Sequence, residues 1–399
     1  MYFCTLFHHS NKWHKNGILT KNKIPMRFNI SSTALSSRLL TLSKVINSKN
    51  SLPILDSFLF EVHNGQLAIT ASDSENVMQT HLNLDGCEGE GNFAVNNRTI
   101  LDAVKELPEQ PLSIDVNYDE WKMYITYQNG SYNFPIQNAD EYPKAQPISD
   151  NATAITLEAG ILQDNITRSI FATAQDELRP VMNGIYFDLT ADALAIVASD
   201  GHKLVRNKNF TIKSEQPAAF IMPKKPANLL RNVLGKDGSD VVIKFDERLA
   251  EISFAEGTLS CRLIEGRYPN YNSVIPQDNP NQITIDRKSL LGALRRVLPF
   301  ASDSSQLIRF HVDNGTLNLN AEDIDFATSA KESVTCEYVG QPMSIGFKGS
   351  SLVEILNNLD SDDVVIELAD PSRAGVIVPS TQPDDEDVLM LIMPMLLND

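Results

Sequence analysis

The sequence predicts an α+β fold made of three tandem copies of one domain, in which two helices pack on antiparallel sheets. Two observations predict it. A strand that leads directly into a helix occurs three times, beginning at Phe28, Ile155 and Ile283, which are 127 and 128 residues apart. A second marker recurs every 127 residues before another apolar helix, at Phe93, Phe220 and Phe347. So long a period is typical of triplicated domains rather than of a solenoid.

Each copy then follows one order of elements. Apolar residues at helical spacing, such as Leu35, Leu39 and Leu42, predict the first helix. Alternating strands follow, and Asn64-Gly65 and Asn314-Gly315 stand where a tight hairpin turn needs positive φ. A further strand, the second helix and a last alternating run complete the copy. Each domain is therefore predicted to hold two helices and about six to eight strands.

Polar, proline-bearing stretches around 144–151 and 276–281 separate the copies. They divide the chain into residues 1–25, 26–148, 149–277 and 278–399.

Residues 1–25 lie outside the repeat, carry four lysines and three histidines, and lack the apolar core of a secretory signal. Met26 is predicted to be the functional start and residues 1–25 a disordered extension. Metal binding by His8, His9 and His14 is the alternative.

Composition indicates an ordinary globular protein. Hydrophobic residues make up 42% and charged residues 21% of the sequence, and no apolar run approaches the roughly 20 residues of a membrane span. Cys4, Cys87, Cys261 and Cys336 form no CxxC pair or metal-ligand spacing, which predicts free thiols. We therefore expect a cytoplasmic protein without a metal, a cofactor or a membrane partner.

The net charge of −17 argues against a nucleic-acid partner, because phosphate repels carboxylate. The distribution of charge weakens that objection. Residues 357–399 hold ten acidic residues against one arginine, whereas 287–296 has four cations and no acid. Residues 203–225 hold six cations and one glutamate. Basic stripes could therefore line one surface of an acidic protein.

Few residues suggest catalysis, since no phosphate-binding, zinc-protease or hydrolase motif is present. The turn Ser199-Asp200-Gly201-His202-Lys203 could pair Asp with His as a general base, but Ser72-Asp73 stands at the same place in the first copy, which favours a structural or partner-binding turn. Asp384–Asp387 is predicted to be a solvated loop tip, with metal capture as the alternative. The apolar end, Val388–Leu397, is predicted to be either a core strand or an adaptable binding surface.

Six segments together resemble the bacterial sliding clamp family, the beta subunit of DNA polymerase III. They are MRFNISSTAL at 26–35, SLPILDSFLF at 51–60, RPVMNGIYFD at 179–188, ASDGHKLV at 198–205, EGRYPNYNSVIP at 265–276 and LIMPMLL at 391–397. The resemblance covers residues 26–397. It implies a processivity factor without catalysis, in which two chains join head to tail in a ring around duplex DNA. Its implied partners are the polymerase III catalytic subunit, the clamp loader and other proteins with clamp-binding motifs.

The resemblance also implies the functional residues. DNA-facing candidates are Lys49, Arg98, Lys105, Lys224 and Lys225, with Arg287, Arg295 or Arg296 as further ones. A pocket for a partner's peptide is implied at Met182, Ser199, Gly201, His202, Lys203, Leu204, Pro269, Val274, Leu391, Met393, Pro394 and Met395. A dimer interface is implied at Tyr132, Phe134, Pro299 and Phe300. The chain departs from the family pattern at Ser273 and Leu396, where arginine is common, and at Ser351, where tyrosine is.

The residues leave two other functions open. A scaffold of tandem domains that does not bind DNA predicts no spatial grouping of Lys49, Arg98 and Lys225. An enzyme that uses Asp200 and His202 predicts a closed polar cleft around them.

Overall fold

The computed structural model describes residues 26–397 of the 399-residue chain. The predictions for residues 1–25, a disordered extension or a metal site at His8, His9 and His14, lie outside the described residues. Cys87, Cys261 and Cys336 are free thiols, as predicted.

The first repeat of the described chain contains two helices and nine strands. Its elements are β1 (Met26–Ser31), α1 (Ser32–Ser43), β2 (Ser57–His63), β3 (Gln66–Ser72), β4 (Asn76–Asn83), β5 (Gly86–Glu88), β6 (Gly91–Asn96), α2 (Asn97–Val104), β7 (Pro111–Asn117), β8 (Lys122–Tyr127) and β9 (Gly130–Gln137). The Asn64-Gly65 turn has φ values of 51° and 74°, so the predicted hairpin is confirmed.

The other two repeats follow the same order. The second contains β10 (Thr153–Glu158), α3 (Ala159–Ile170), β11 (Gly184–Leu189), β12 (Leu194–Ser199), β13 (Lys203–Asn209), β14 (Ala218–Pro223), α4 (Lys224–Val233), β15 (Asp240–Phe245), β16 (Leu249–Phe254) and β17 (Gly257–Arg262). The third contains β18 (Asn281–Asp286), α5 (Arg287–Val297), β19 (Leu307–Asp313), β20 (Thr316–Asp323), β21 (Thr328–Thr335), β22 (Glu337–Tyr338), β23 (Met343–Lys348), α6 (Gly349–Asn357), β24 (Asp363–Leu368), β25 (Gly375–Pro379) and β26 (Glu386–Ile392). The short strands β5 and β22 raise the first and third repeats to nine strands, one more than predicted.

The helices form because apolar side chains recur on one face, and a polar side chain caps the first turn of α1, α2 and α5. Leu35, Leu39 and Leu42 of α1 are fully buried. Ser31 Oγ accepts a hydrogen bond from Ala34 N at 3.1 Å, and Asp286 Oδ1 accepts one from Ser289 N at the start of α5 at 2.7 Å. The two helices of each repeat pack against each other and against its sheets.

The sheets continue across the junctions between repeats. Residues 257–261 of β17 pair antiparallel with 76–80 of β4, and β13 pairs with β26 over its whole length. A 13-stranded sheet therefore joins repeats one and two, and a nine-stranded sheet joins two and three. Backbone hydrogen bonds thus hold the three repeats in one body.

Within residues 26–397, two edges whose counterparts pair at the internal junctions have no partner strand of their own. β21 ends the four-stranded sheet of the third repeat. In β9, β6 pairs only with Ile136 and Gln137, so residues 130–135 are open on that side. β21 is the counterpart of β4 and β13, and β9 is the counterpart of β17 and β26. β9 in the first repeat and β21 in the third are therefore complementary edges.

Side-chain ion pairs reinforce the second junction. Arg168 Nη1 donates to Glu386 Oε2 at 2.6 Å, and Arg206 Nη2 donates to Asp387 Oδ2 at 2.5 Å. The prediction of a solvated tip at Asp384–Asp387 is therefore wrong for its last two residues, because cations of the second repeat draw their carboxylates into the junction.

The strand register corrects one marker of the repeat. Phe93 lies opposite Phe60 and Phe220 opposite Phe187, each four residues before its helix. In the third repeat Ile345, not Phe347, lies opposite Phe310 and four residues before α6. The interval of 127 misaligned this strand by two residues. The counterpart of Arg98 and Lys225, each five residues after its marker, is consequently Ser350.

Candidate functional sites

The β12–β13 turn and the C-terminal segment meet at the second junction. Met393 N donates to His202 O at 2.8 Å, and Met395 N donates to Gly346 O at 2.7 Å. Terminal segments usually fray, but these two hydrogen bonds hold the backbone of Met393 and Met395 against the second and the third repeat. The segment therefore presents its methionine side chains from a fixed backbone, and that of Met393 is 41% exposed.

An apolar layer lies beneath this meeting point. Leu204 is opposite Leu391 in the paired strands, and both are buried. They belong to one apolar cluster with Tyr268 and Tyr271 from the segment that follows β17. Tyr186 stacks on Tyr268 with ring centroids 4.6 Å apart. A rigid aromatic and aliphatic base of this kind suits apolar side chains of a bound peptide.

The Asp200 carboxylate organises the turn. Its Oδ1 accepts hydrogen bonds from His202 N at 2.8 Å and Lys203 N at 2.9 Å, and its Oδ2 accepts one from Lys203 Nζ at 2.7 Å. Lys203 Nζ also lies 3.2 Å from Glu354 of α6. Burial alone would raise the pKa of Asp200, but these hydrogen bonds outweigh it and lower that pKa. Gly201 takes a φ of 91°, which favours glycine.

This arrangement does not form a catalytic pair. The hydrogen bond from His202 to Asp200 comes from the main chain, not from the imidazole, and His202 is exposed. Asp200 is already satisfied by Lys203 and the backbone. A general base needs a carboxylate that orients the imidazole ring, and the turn does not supply it.

The predicted pocket residues divide into a base and a rim. Met182, Ser199, Lys203, Leu204 and Leu391 are buried, whereas Gly201, His202, Pro269, Val274 and Met393 are exposed, and Pro394 and Met395 are half-buried. The turn and the C-terminal segment are in direct contact. Pro269 and Val274 stand beside the clustered Tyr268 and Tyr271.

Sequence reasoning missed Arg179, Tyr268, Tyr271 and Glu354. A Cβ built on Gly201 would lie 3.2 Å from Arg179 Nη1, so this guanidinium borders the turn. The two tyrosines of Tyr268-Pro269-Asn270-Tyr271 are three residues apart, and this spacing could have indicated that both pack into the base of the site. Glu354 gave none, because its role depends on a contact between repeats.

The three departures from the family pattern have different surroundings. Ser273 Oγ donates to Asn270 O at 2.7 Å within its own turn. Ser351 is buried on α6, and Leu396 is 86% exposed.

The five predicted DNA-facing residues lie in or beside the helical layer. Lys49 follows α1, Arg98 and Lys224 lie in the first turns of α2 and α4, and Lys105 caps the end of α2. Lys49, Arg98 and Lys105 are exposed. Lys105 Nζ contacts Asp102 at 2.7 Å, and this contact raises the pKa of Lys105.

Lys225 is held by the neighbouring repeat. Its Nζ donates to Val45 O and Asn47 Oδ1 at 2.6 Å, and to Asp73 Oδ2 at 2.5 Å. It therefore lies beside the loop that carries Lys49, but its charge neutralises Asp73.

The six helices have a different charge balance from the rest of the chain. They contain ten Lys and Arg residues against three Asp and Glu residues, a balance of +7. The formal charge of the whole chain is −17, so the remainder carries −24. Within residues 26–397, six helical cations pair with no carboxylate; they are Arg98, Lys224, Arg231, Arg287, Lys288 and Arg295.

The three arginines suggested for the third copy are partly engaged. Arg287 donates to the carbonyls of Ser361 and Leu356, and Arg296 pairs with Glu332 of β21. Arg295 donates to Asn357 Oδ1 at 2.9 Å and is exposed.

The predicted interface residues lie on or beside the two open edges. Tyr132 and Phe134 lie on β9; Tyr132 is half-buried, but Phe134 is only 3% exposed and belongs to the core of its own repeat. Pro299 and Phe300 follow α5 in a short 3₁₀ turn that packs against β21, and Phe300 is 40% exposed.

Comparison with protein families covers nearly all of the described residues. Residues 26–146 match the model of the DNA polymerase III beta subunit N-terminal domain, 156–270 that of its central domain, and 272–396 that of its C-terminal domain. The chain belongs to the DNA polymerase III beta subunit family.

Two relatives of this beta subunit are both described as beta sliding clamps. The beta sliding clamp of Pseudomonas aeruginosa is 26% identical over 373 residues, which are 93% of this chain and 100% of the relative. That of Synechococcus elongatus is 28% identical over 385 residues, 94% of this chain and 99% of the relative. The beta subunit described here is accordingly a DNA sliding clamp that acts in replication.

Solved structures agree with this clamp fold. A sliding clamp from Pseudomonas aeruginosa bound to griselimycin has a TM-score of 0.87 at 26% identity, covering 93% of this chain and 100% of that one. The beta subunit from Thermotoga maritima has a TM-score of 0.84 at 25% identity, covering 94% and 100%. Three tandem clamp domains are therefore confirmed. In residues 26–397 of this clamp, no helix is both long enough and apolar enough to span a membrane.

Proposed function

We propose that two copies of this clamp close head to tail into a ring around duplex DNA. The observation that carries the proposal is the match between the open edges and the two internal junctions. β4 pairs with β17 and β13 pairs with β26, so β21 and β9 are the same two edges left open. Exposed strand edges bind other edges, and two identical contacts close a cyclic dimer.

Strand register makes the proposed contact specific. Leu259 lies opposite Met78 at the first junction, and Met390 lies opposite Val205 at the second. In the repeat, Tyr132 corresponds to Leu259 and Met390, and Ala330 corresponds to Met78 and Val205. Tyr132 of one chain should therefore lie opposite Ala330 of the other. A large and a small side chain fill such a site together.

The helical layer is proposed to face the DNA. Its balance of +7 supports this, since a basic surface attracts phosphate regardless of sequence. Lys49, Lys105 and Lys224 are the proposed phosphate contacts, with Arg98 and Lys225 close by. Enclosure by a ring needs few such contacts, so an overall acidic protein can remain on DNA and still slide.

The meeting point of the β12–β13 turn and the C-terminal segment is proposed as the partner pocket. Its buried Leu204 and Leu391 suit apolar anchors, while exposed polar groups such as His202 can fix a peptide's register. The proposed occupants are extended peptides of the polymerase III catalytic subunit, the clamp loader and other clamp-binding proteins.

We take the clamp to be non-catalytic, which the main-chain origin of the His202–Asp200 bond supports. It is proposed to act in the cytoplasm, at the nucleoid during replication, with domain limits of 26–148, 149–277 and 278–399. The matched family ranges, whose ends lie within seven residues of these limits, support them.

Retention on DNA tests the ring. After loading, the clamp should stay on closed circular DNA and leave when the circle is cut once. Equal retention on circular and linear DNA would contradict encirclement. The scaffold alternative predicts that Lys49 and Lys225 do not group in space. Lys225 contacts Asn47, which is two residues from Lys49, so this alternative is disfavoured.

A further inference from the structure

The turn that follows Asp73, Asp200 and Asp323 is built in the same way in all three repeats. Asp73 Oδ1 accepts hydrogen bonds from the backbone N–H groups of the residues two and three positions later, at 3.0 and 2.7 Å. Asp200 does so at 2.8 and 2.9 Å, and Asp323 at 3.0 and 3.2 Å. The three carboxylates are therefore structural counterparts.

A cation neutralises two of these carboxylates. Asp73 receives Lys225 from α4 of the next repeat. In the third repeat the counterpart of Lys225 is Ser350, which is neutral, and Asp200 is instead paired with Lys203 of its own turn. At both internal junctions, a buried or half-buried Asp thus has a lysine.

Asp323 lacks such a cation. It is only 8% exposed, and none of the ion pairs recorded between residues 26 and 397 includes it. A carboxylate this buried is costly unless a positive charge or several donors satisfy it. Asp323 lies beside β21, the edge that the proposed ring joins to a second chain.

The cation at the corresponding place is Arg98. It is the second residue of α2, as Lys225 is the second residue of α4. Arg98 is exposed and has no carboxylate partner among the described residues. Lys225 of the second repeat reaches the first repeat. By the same geometry, Arg98 of the first repeat would reach the third repeat of another chain in a ring.

The surroundings of Asp323 leave room for this side chain. Lys225 Nζ also contacts Asn47, which follows α1. The helices α1 and α5 begin 255 residues apart, so the counterpart of Asn47 is Ser302. Ser302 and Asp323 line one cavity, together with Ser305, Ser329 and two cations, Arg309 and Lys331. No ion pair recorded between residues 26 and 397 joins either cation to Asp323. At the first junction, the equivalent space is filled by the lysine side chain.

We infer that Arg98 of one chain enters this cavity and pairs with Asp323 of a second copy, so that it closes the ring rather than binding DNA. The inference rests on the proposed ring. It adds a specific charge pair to that interface, and it removes Arg98 from the DNA-facing candidates.

A double-mutant cycle on the dimer dissociation constant tests the pair. Asp323→Asn keeps the Oδ1 acceptor of the turn and removes the charge, and Arg98→Gln removes the cation. Each change should weaken dimerisation about five- to tenfold, and the double variant should be no weaker than either single variant. Lys105→Gln at the end of the same helix is the matched control and should combine with Asp323→Asn additively.

The outcomes separate this inference from the ring itself. Additive effects of Arg98→Gln and Asp323→Asn in a stable dimer would overturn the pair and leave the ring intact. A dimer unchanged by Arg98→Gln, with weaker DNA binding instead, would return Arg98 to the DNA-facing set. A chain that stays monomeric at every concentration would overturn the ring and the pair together.

Discussion

Arg168 and Glu386 form a buried ion pair between helix α3 and the last strand of the chain, with Nη1 and Oε2 2.6 Å apart. The exposed fractions of the two side chains are 13% and 9%. Asn165 adds a second hydrogen bond to the other carboxylate oxygen at 2.8 Å. The second and third repeats are therefore joined by side-chain charge as well as by paired strands.

Arg168→Met should destabilise the fold by about 3 kcal/mol, because it leaves the Glu386 carboxylate buried without its partner. Chemical denaturation measures the change. Lys236→Met is the matched control, since Lys236 pairs with Asp164 at a position where its side chain is 63% exposed, and we expect a change below about 0.5 kcal/mol. Similar losses in the two variants would contradict the importance of burial.

The pH dependence of stability should report the Lys225–Asp73 pair. Burial alone would raise the pKa of Asp73, but hydrogen bonds from Lys225 and Asn76 outweigh it and lower that pKa. A lowered folded pKa gives stability that is present above the unfolded value of about 4 and is lost as pH falls through the folded pKa.

The stability gap between wild type and Lys225→Met should therefore be largest near pH 7 and shrink below about pH 4, as Asp73 becomes protonated. Denaturation midpoints across this range measure it. Lys224→Met provides the control, because Lys224 does not contact Asp73 and its gap should stay constant. A gap that is independent of pH for both variants would contradict the assignment.

Disulfide cross-linking should reveal the register of the ring. A chain with Tyr132→Cys and Ala330→Cys should form covalent dimers under mild oxidation, because directly opposite residues of paired strands have Cβ atoms about 4.5–5.5 Å apart. Tyr132→Cys with Lys331→Cys is the control, since a shift of one residue turns the side chain to the other face. Cross-linking that favours the control would show a different register.

The partner pocket should depend on its methionines. Met393→Ala with Met395→Ala should weaken a peptide that contains leucine and phenylalanine by about 1–3 kcal/mol, because apolar contact area is lost. A fluorescence titration measures the affinity. Val339→Ala removes a more exposed apolar side chain that follows β22, four strands away from β26 in the same sheet, and should have no effect. Unchanged affinity in the double Met variant would place the peptide elsewhere.

Sequence predicted those features that depend on local pattern. The Asn-Gly turns require positive φ, and the apolar stripe of α1 requires a core on one side, so both follow from the order of the residues alone. The triplication could be predicted because each copy repeats the same local signals.

Features that depend on contacts between repeats could not be predicted. Asp387 sits in an acidic, proline-flanked segment, and only the arrival of Arg206 from another repeat makes it a junction residue. Lys225 has the sequence appearance of an exposed helix cation, yet it is bound to Asp73. The shift from Phe347 to Ile345 arises because alternating apolar residues on one strand leave its register ambiguous by two.

Pro135 removes one backbone hydrogen-bond donor from the open edge of β9. At the first junction Arg262 N donates to Glu75 O at 2.9 Å, and at the second Met393 N donates to His202 O at 2.8 Å. The counterpart of Arg262 and Met393 on β9 is Pro135, which has no N–H to donate. A joint made by this edge lacks a backbone bond that both internal joints possess. Under tension, a closed ring would therefore part between chains before it parted within one, and it would reseal without unfolding a domain.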